Sequence, residues 1–556
     1  MNQSTGQTAR SCGDVNRLSR RDAMGLLVAA AGTAAAMPST GIAESAAKRT
    51  PGRPDDALTT PKDATVATTS GRVRGFKRQG VFTFLGIPYG ADTSGSARFL
   101  PPKPPTSWND DRWTILYGPV SPQAVADVRE VQRVFVEDAV HGQPGEDCLR
   151  VNVWSPALNR DAKLPVIFWI HGGGFTAGSS QEHPAYDGTN TARNGSVFVS
   201  VNHRLNAFGF LDLSTLGGSY ASAPNVGMLD LVLALEWVRD NIAAFGGDPS
   251  RVTIVGQSGG GGKVSTLMAM PSAKGLFHRA VVMSGSLPPA SRGTASRDIA
   301  AAVIKELGLR DGDVEALQHV EAARLVAAGA AVGTRVGGFG GGFAPVVDGR
   351  VLPEAWATAA PQQSANVPLI VGSVRDEFRP VGWSVSEQEL PSRLPPPLQP
   401  KATEIVAAAR RTYPEMPPTE LASMLGGMFF RNLALEQVRK QQALGGAPVY
   451  SYWFTWPTPL LDGAIGCPHG IDIAFLFDNT VLCDKLTGGT AEAQRIAAQM
   501  NTALIAFATT GKPTRPELPW LPYDPQEVPT MVFDARSAMV DDPAGEIRRL
   551  MEPKFG

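Results

Sequence analysis

Residues 251–269 constrain this chain more than any other stretch. The β-branched run Val252-Thr253-Ile254-Val255 reads as a buried strand. It breaks into Gly256-Gln257-Ser258-Gly259-Gly260, and Val264 to Met270 then follows with helix-compatible spacing. A strand, a G-x-S-x-G turn and a helix in that order describe an elbow that lifts a serine hydroxyl above the end of a sheet. The turn strains its central residue, and glycines on either side let the two arms pass closely. A chain with 59 glycines can produce this spacing by chance, so a glycine turn with an incidental serine is the competing reading. The two readings separate on whether the rest of the chain supplies partners for Ser258.

The surrounding pattern fits a sheet covered on both faces. Residues 81–88 and 149–154 read as early strands, and 166–170 and 197–201 are continuous apolar runs, as expected of strands buried on both sides. Residues 230–241 carry Leu231, Leu235, Trp237 and Val238 at helical spacing, and 280–283 and 368–371 add further strands. This alternation predicts an α/β architecture with a largely parallel central sheet flanked by helices. Segments about 290–340 and 384–448 read as mainly helical or irregular insertions over the catalytic face. The glycine run 337–342 reads as a loop rather than a phosphate cradle. Residues 257–264 fail the P-loop pattern, because Gln257 stands at the first required glycine and Val264 follows Lys263.

Composition excludes several classes. Hydrophobic content of 43% and charged content of 19% indicate a globular chain with a large core. A net charge of −1 gives no electrostatic footprint for nucleic acid or an anionic membrane. Neither C-x-x-C nor H-E-x-x-H occurs, so no metal site and no cofactor are expected. At the N-terminus, residues 1–47 read as an export signal and cleavage region. Arg10, Arg17, Arg20 and Arg21 precede an apolar stretch, 25–36, shorter than the ~20 residues that span a bilayer. The Arg20-Arg21 pair resembles a bacterial twin-arginine signal and predicts a periplasmic or secreted protein without stable membrane insertion. Residues 48–64 read as a disordered lead-in, which leaves 65–556 as a single domain. Beyond Cys12, Cys148, Cys467 and Cys483 allow at most one disulfide.

A serine nucleophile needs a base, an acid that orients the base, and donors for the oxyanion. In α/β-hydrolases the acid and then the histidine follow the serine. Three histidines do so. His278 follows too closely to leave room for an acid-bearing strand, and His319 lies on a polar helix where a solvated ring is the simpler explanation. His469, in the loop Gly466-Cys467-Pro468-His469-Gly470, is the preferred base. The acid is expected after the strand at 368–371, where Asp376 and Glu377 stand side by side; Asp348 is a rival that looks like a turn aspartate. Spacing alone leaves Asp376 and Glu377 open. The H-G-G-G stretch from His171 to Gly174 follows a buried strand and fits a second oxyanion loop. His171 precedes the serine and reads as structural.

Taken together, these segments resemble the type-B carboxylesterases, which include p-nitrobenzyl esterases, animal carboxylesterases and cholinesterases. The resemblance runs from about 65 to 545. It covers 84–89, 146–154, 171–175, 201–205, 225–230, 241–249, 284–286, 376–378, 469–472 and 518–523. It implies the α/β-hydrolase fold and hydrolysis of small-molecule carboxylic esters through an acyl-enzyme. It further implies Ser258 as nucleophile, Glu377 as acid and His469 as base. Gly173, Gly174 and Gly259 are the implied oxyanion donors, with Ser284 beside the triad. An amidase, carbamate hydrolase or thioesterase would use the same groups, and a catalytically silent binding protein on this scaffold is the alternative from another class.

The chain departs from the family pattern in three places. Gln257 and Gly259 replace the Glu and Ala that usually flank the serine, and losing that carboxylate argues against choline-like substrates. Gly261-Gly262-Lys263 replaces small apolar residues, with no evident reason for Lys263. Ser121 stands where a cysteine is common, so Cys148 lacks its expected partner. Trp383, Trp453, Phe454 and Trp456 are candidates for an aromatic pocket, with core packing as the equal alternative.

Overall fold

The computed structural model describes residues 57–124, 142–286, 294–336, 342–356, 360–380 and 382–552, all of them within one unit spanning Arg53–Gly556. Residues 1–47, read above as an export signal, and the glycines at 337–341 lie outside these residues. In chain order the strands are β1 (Thr65–Ala67), β2 (Arg72–Arg74), β3 (Phe76–Arg78), β4 (Val81–Pro88), β5 (Arg112–Trp113), β6 (Arg150–Ser155) and β7 (Leu164–Ile170). They continue as β8 (Val197–Val201), β9 (Gly247–Gln257), β10 (Arg279–Met283), β11 (Leu369–Val374), β12 (Val449–Phe454), β13 (Pro529–Phe533) and β14 (Ala538–Asp541). The main sheet has 11 strands in the order β14-β13-β12-β11-β10-β9-β7-β8-β6-β4-β3. The run from β13 to β8 is parallel throughout, and the strands at both ends are antiparallel. The α/β-hydrolase architecture expected from the sequence is the one observed.

Period-2 alternation places the core on both sides of this sheet. Val166, Phe168 and Ile170 of β7 join one apolar cluster, with Ile254 of β9, whereas Ile167, Trp169 and Val255 join the cluster on the opposite face. A strand buried on both faces has no polar side, which explains the unbroken apolar runs. The insertions also form as expected. Helices Ala295–Glu306, Val314–His319 and Ala322–Val336 occupy the first, and Ala402–Thr412 and Pro418–Gln442 the second.

Two expectations change. The lead-in is not disordered throughout: Thr59 pairs with Lys77 as an isolated bridge and Ala64 is fully buried. Backbone pairing to β3 fixes that segment despite its polar composition. Strands β12 and β13 were not expected, yet Tyr450, Tyr452 and Phe454 pack in one core cluster and Trp453 in another. Trp456 is also core, so Phe454, Trp453 and Trp456 serve packing beneath the site rather than a substrate pocket.

Register then positions the loops. Ile170 pairs with Gly256, Gln257 with Met283, and Met283 with Gly372. The carboxyl ends of four adjacent parallel strands therefore lie level, and the segments leaving them converge on one edge. Open α/β sheets place their ligands there.

Candidate active site

The elbow has the strain its sequence demands. Ser258 has φ 56° and ψ −125°, a conformation L-residues avoid, which costs about 1–3 kcal/mol. Two features hold it: Ser258 N donates to Met283 O at 2.8 Å, and helix Gly259–Ala269 begins at once. No β-carbon fits at Gly256, where one would lie 2.3 Å from the Gly260 carbonyl carbon. The helix N-terminus directs partial positive charge toward the serine.

The segment leaving β7 folds against this elbow. Gly173 and Gly174 take φ of 78° and 62°, the left-handed region that glycine enters freely. A β-carbon on Gly259 would lie 2.3 Å from Gly174 O, and one on Gly172 would lie 3.6 Å from the Ser258 Cβ. Gly173, Gly174 and Gly259 are thus brought to one place. His171 is buried and its Nδ1 lies 3.0 Å from Gly172 O, so the ring braces its own loop.

The loop after β11 separates the two candidate acids. Asp376 accepts from Arg375 Nη2 at 2.7 Å and from Cys467 N at 2.7 Å. Glu377 sits at φ 52° and hydrogen-bonds His469 Nδ1 through Oε2. Its Oε1 accepts from Ser284 Oγ at 2.8 Å and from Val374 N at 3.2 Å. His469 N donates to Glu377 O at 2.7 Å, which locks the two loops together. Asp348 binds three successive backbone N–H groups, from Arg350 to Leu352, and is a turn residue.

Gln257 Nε2 stands 3.2 Å from His469 Nε2. The His469 ring thus presents Nδ1 to Glu377 and Nε2 to the elbow. The other histidines are engaged elsewhere. His278 Nδ1 accepts from Val252 N at 3.3 Å, and the exposed His319 pairs with Glu315 O at 2.7 Å.

Composition did not reveal the aromatic wall beside His469. Phe378 lies 4.3 Å from the His469 ring, centroid to centroid, and Phe430 lies 5.9 Å from it. Phe378 and Phe429 are exposed, at 49% and 52%. Helix Pro418–Gln442 brings Phe429 and Phe430 here because Gly427 packs on the acid loop, where a β-carbon would lie 2.0 Å from Arg375 O. The only sequence signal was Phe378 adjoining Glu377.

Among the described residues no cluster of His, Cys, Asp and Glu could hold a metal ion, and no helix is long and apolar enough to cross a membrane. Nor does a disulfide join the described cysteines; Cys148 is a buried thiol, raised by its removal from water. At the position where a partner cysteine is common, Ser121 Oγ accepts from Leu205 N at 3.1 Å.

The Carboxylesterase family profile matches residues 62–547. The chain belongs to the carboxylesterase family. It is accordingly an ester-hydrolysing serine hydrolase. It is 34% identical to the para-nitrobenzyl esterase of Bacillus subtilis (strain 168), over 88% of this chain and 99% of that protein. It is 32% identical to a phenmedipham hydrolase of Pseudarthrobacter oxydans, over 87% and 96%. Among solved structures, it superposes with a TM-score of 0.78 and 37% identity on an esterase from Clostridium hathewayi reported to hydrolyse aliphatic aromatic polyesters, over 89% of this chain and 99% of that one. Gln257, Gly259 and Lys263 are the elbow residues that depart from the pattern the resemblance implies. Of these, Gly259 has a physical reason, since the backbone of Gly174 leaves no room for a side chain there.

Proposed function

We propose that this carboxylesterase works through Ser258, His469 and Glu377, with the N–H groups of Gly173, Gly174 and Gly259 as oxyanion donors. His469 Nε2 takes the Ser258 proton as Oγ attacks the ester carbonyl. The carbonyl oxygen becomes an anion held by the three N–H groups, and Glu377 stabilises the imidazolium. His469 then gives its proton to the departing alkoxide, and the alcohol leaves. Water, deprotonated by the same ring, attacks the acyl-serine, and collapse releases the acid and restores Ser258.

The observation that carries this reading is the chain of contacts from Ser284 through Glu377 to His469, whose Nε2 reaches Gln257, the residue preceding the strained serine. The preferred substrates are neutral esters with an aromatic or other apolar group. Phe378, Phe429 and Phe430 supply the wall that would receive it, and Gln257 lacks the charge that a cationic group would need. A charge pair at 4 Å is worth ~4 kcal/mol at an effective dielectric of 20. Relatives described as a para-nitrobenzyl esterase and as a hydrolase of aliphatic aromatic polyesters agree with this preference. We further propose that residues 1–47 direct bacterial export through the Arg20-Arg21 pair. Loss of the protein from the periplasm or medium on Arg20→Lys with Arg21→Lys is the expected result.

Labelling with diethyl p-nitrophenyl phosphate tests the nucleophile. Inactivation should accompany one diethylphosphoryl group on the peptide containing Ser258. Inactivation with the adduct on another residue would remove Ser258 from its role.

A further inference from the structure

The elbow helix carries a lysine that the ester chemistry leaves unused. Lys263 is fully buried, at 0% exposure. Its Nζ donates to His171 O at 3.1 Å and to Gly172 O at 3.4 Å, and it lies 5.9 Å from the Phe175 ring centroid. A buried ammonium is strongly disfavoured unless its protons find acceptors, and here the acceptors are the carbonyls of the oxyanion loop.

The groups around it are chemically matched. Glu182 attracts the ammonium and is bonded by Tyr186 Oη at 3.3 Å. The stacked rings of His171 and His203, 5.2 Å apart, face the same charge. Burial, reinforced by Lys263, holds both histidines well below their usual range, so neither competes as a cation. Arg204, beyond His203, is paired with Asp230 at 2.6 Å. Burial lowers Lys263 to about 7 and raises Glu182 to about 7.

Gly172 O therefore faces two donors, Lys263 Nζ and His171 Nδ1. In a trans peptide the N–H points away from the C=O. Gripping the Gly172 carbonyl thus turns the Gly173 N–H away from the lysine. Withdrawing electron density through that carbonyl also makes the N–H a stronger donor.

We propose that Lys263 is a positioning residue of the oxyanion hole, whose ammonium grips the His171 and Gly172 carbonyls from behind and strengthens the Gly173 N–H toward the tetrahedral oxyanion. This rests on Gly173, Gly174 and Gly259 being the oxyanion donors. A purely structural lysine would support substrate and transition state equally; a positioning lysine acts on the transition state alone.

The test compares Lys263→Met and Lys263→Arg with the full-length wild-type enzyme on p-nitrophenyl butyrate and on a trifluoromethyl ketone, which forms an oxyanion on the serine. In Lys263→Met, kcat should fall about ten-fold or more, given about 10²–10³ for outright loss of one oxyanion donor. KM should stay within about three-fold, and the ketone should bind more weakly by the same factor as kcat falls. The lysine charge is complete at acidic pH and lost as pH rises through about 7, so wild-type kcat should decline on the alkaline side. Lys263→Arg, which stays charged, should recover rate and lack that decline. An unchanged kcat and ketone affinity in Lys263→Met overturns the inference, as does a loss carried by KM. If Lys263→Met does not fold, an alkaline decline that persists in Lys263→Arg overturns it equally. Ser258→Ala, run in parallel, separates the two levels. Retained hydrolysis there defeats the underlying site, whereas an inactive Ser258→Ala beside unaltered Lys263 variants defeats the lysine role alone.

Discussion

Asp376 and Glu377 are consecutive in the chain but belong to separate networks. Asp376 is held by the Arg375 guanidinium and the Cys467 N–H, and Glu377 by Ser284, Val374 N and His469. The positive φ of Glu377 reverses the chain at this point, so adjacent carboxylates diverge.

Their replacements should consequently fail differently. Glu377→Gln should lower kcat by about 10⁴, as loss of the acid does in other serine triads, with little change in melting temperature. Asp376→Asn should retain most of kcat but lose about 3 kcal/mol of stability, because it strands a largely buried Arg375. Kinetics and thermal melts on both variants check this; a large kcat loss confined to Asp376→Asn would reverse the assignment.

Gly259→Ala restores the residue common in the family but has no space here. Its β-carbon would sit 2.3 Å from Gly174 O. The oxyanion loop must shift, and kcat should fall by about 10²–10³, the cost of one misplaced donor, with KM changing less. Steady-state kinetics with p-nitrophenyl butyrate decide it, and wild-type turnover would show that the loop yields freely.

Phe430→Ala should weaken the preference for aromatic esters rather than abolish activity. The ring bridges Phe378 and Phe429 beside His469. Removing one apolar contact changes discrimination by roughly 10-fold or more. The ratio of kcat/KM for a phenyl-bearing ester to that for an acetate should drop by about this factor. An unchanged ratio would place the aromatic group elsewhere.

Asp472 provides a stability prediction with a definite sign. Burial raises it to about 7, with the Tyr452 hydroxyl, 2.7 Å away, pulling it down and the charge of Glu377 pushing it up. In the unfolded chain a carboxyl titrates near ~3.9. Between those values the folded protein holds the extra proton, so this group lowers stability as pH rises across that window. Asp472→Asn removes the effect. Its melting temperature relative to wild type should be higher at about pH 8 than at about pH 5. An equal difference at both would contradict the buried-acid account.

Much of the site was legible because its chemistry is local. Ser258 declares itself through the glycines at 256, 259 and 260, since only a tight strand-to-helix turn needs them. His171 to Gly174 was legible for the same reason. The aromatic residues stayed open between pocket and core because type does not report direction: in β12, Trp453 and Phe454 alternate into two cores, whereas Phe378 and Phe429 remain exposed. Lys263 had no reading at all, because its acceptors lie 91 and 92 residues away in the chain.

The sequence alone determined the elbow, the parallel-sheet architecture and the order of serine, acid and histidine, each of which depends on contacts within a few residues or on short-range periodicity. The tertiary structure supplied the contacts by which Glu377, the acid the resemblance implies, and not Asp376 meets His469, and it alone decided which aromatics stand beside that ring and what the buried lysine holds. Those choices depend on strand register: the level ends of β7, β9, β10 and β11 bring together loops from distant parts of the chain. Spacing in sequence does not encode that convergence.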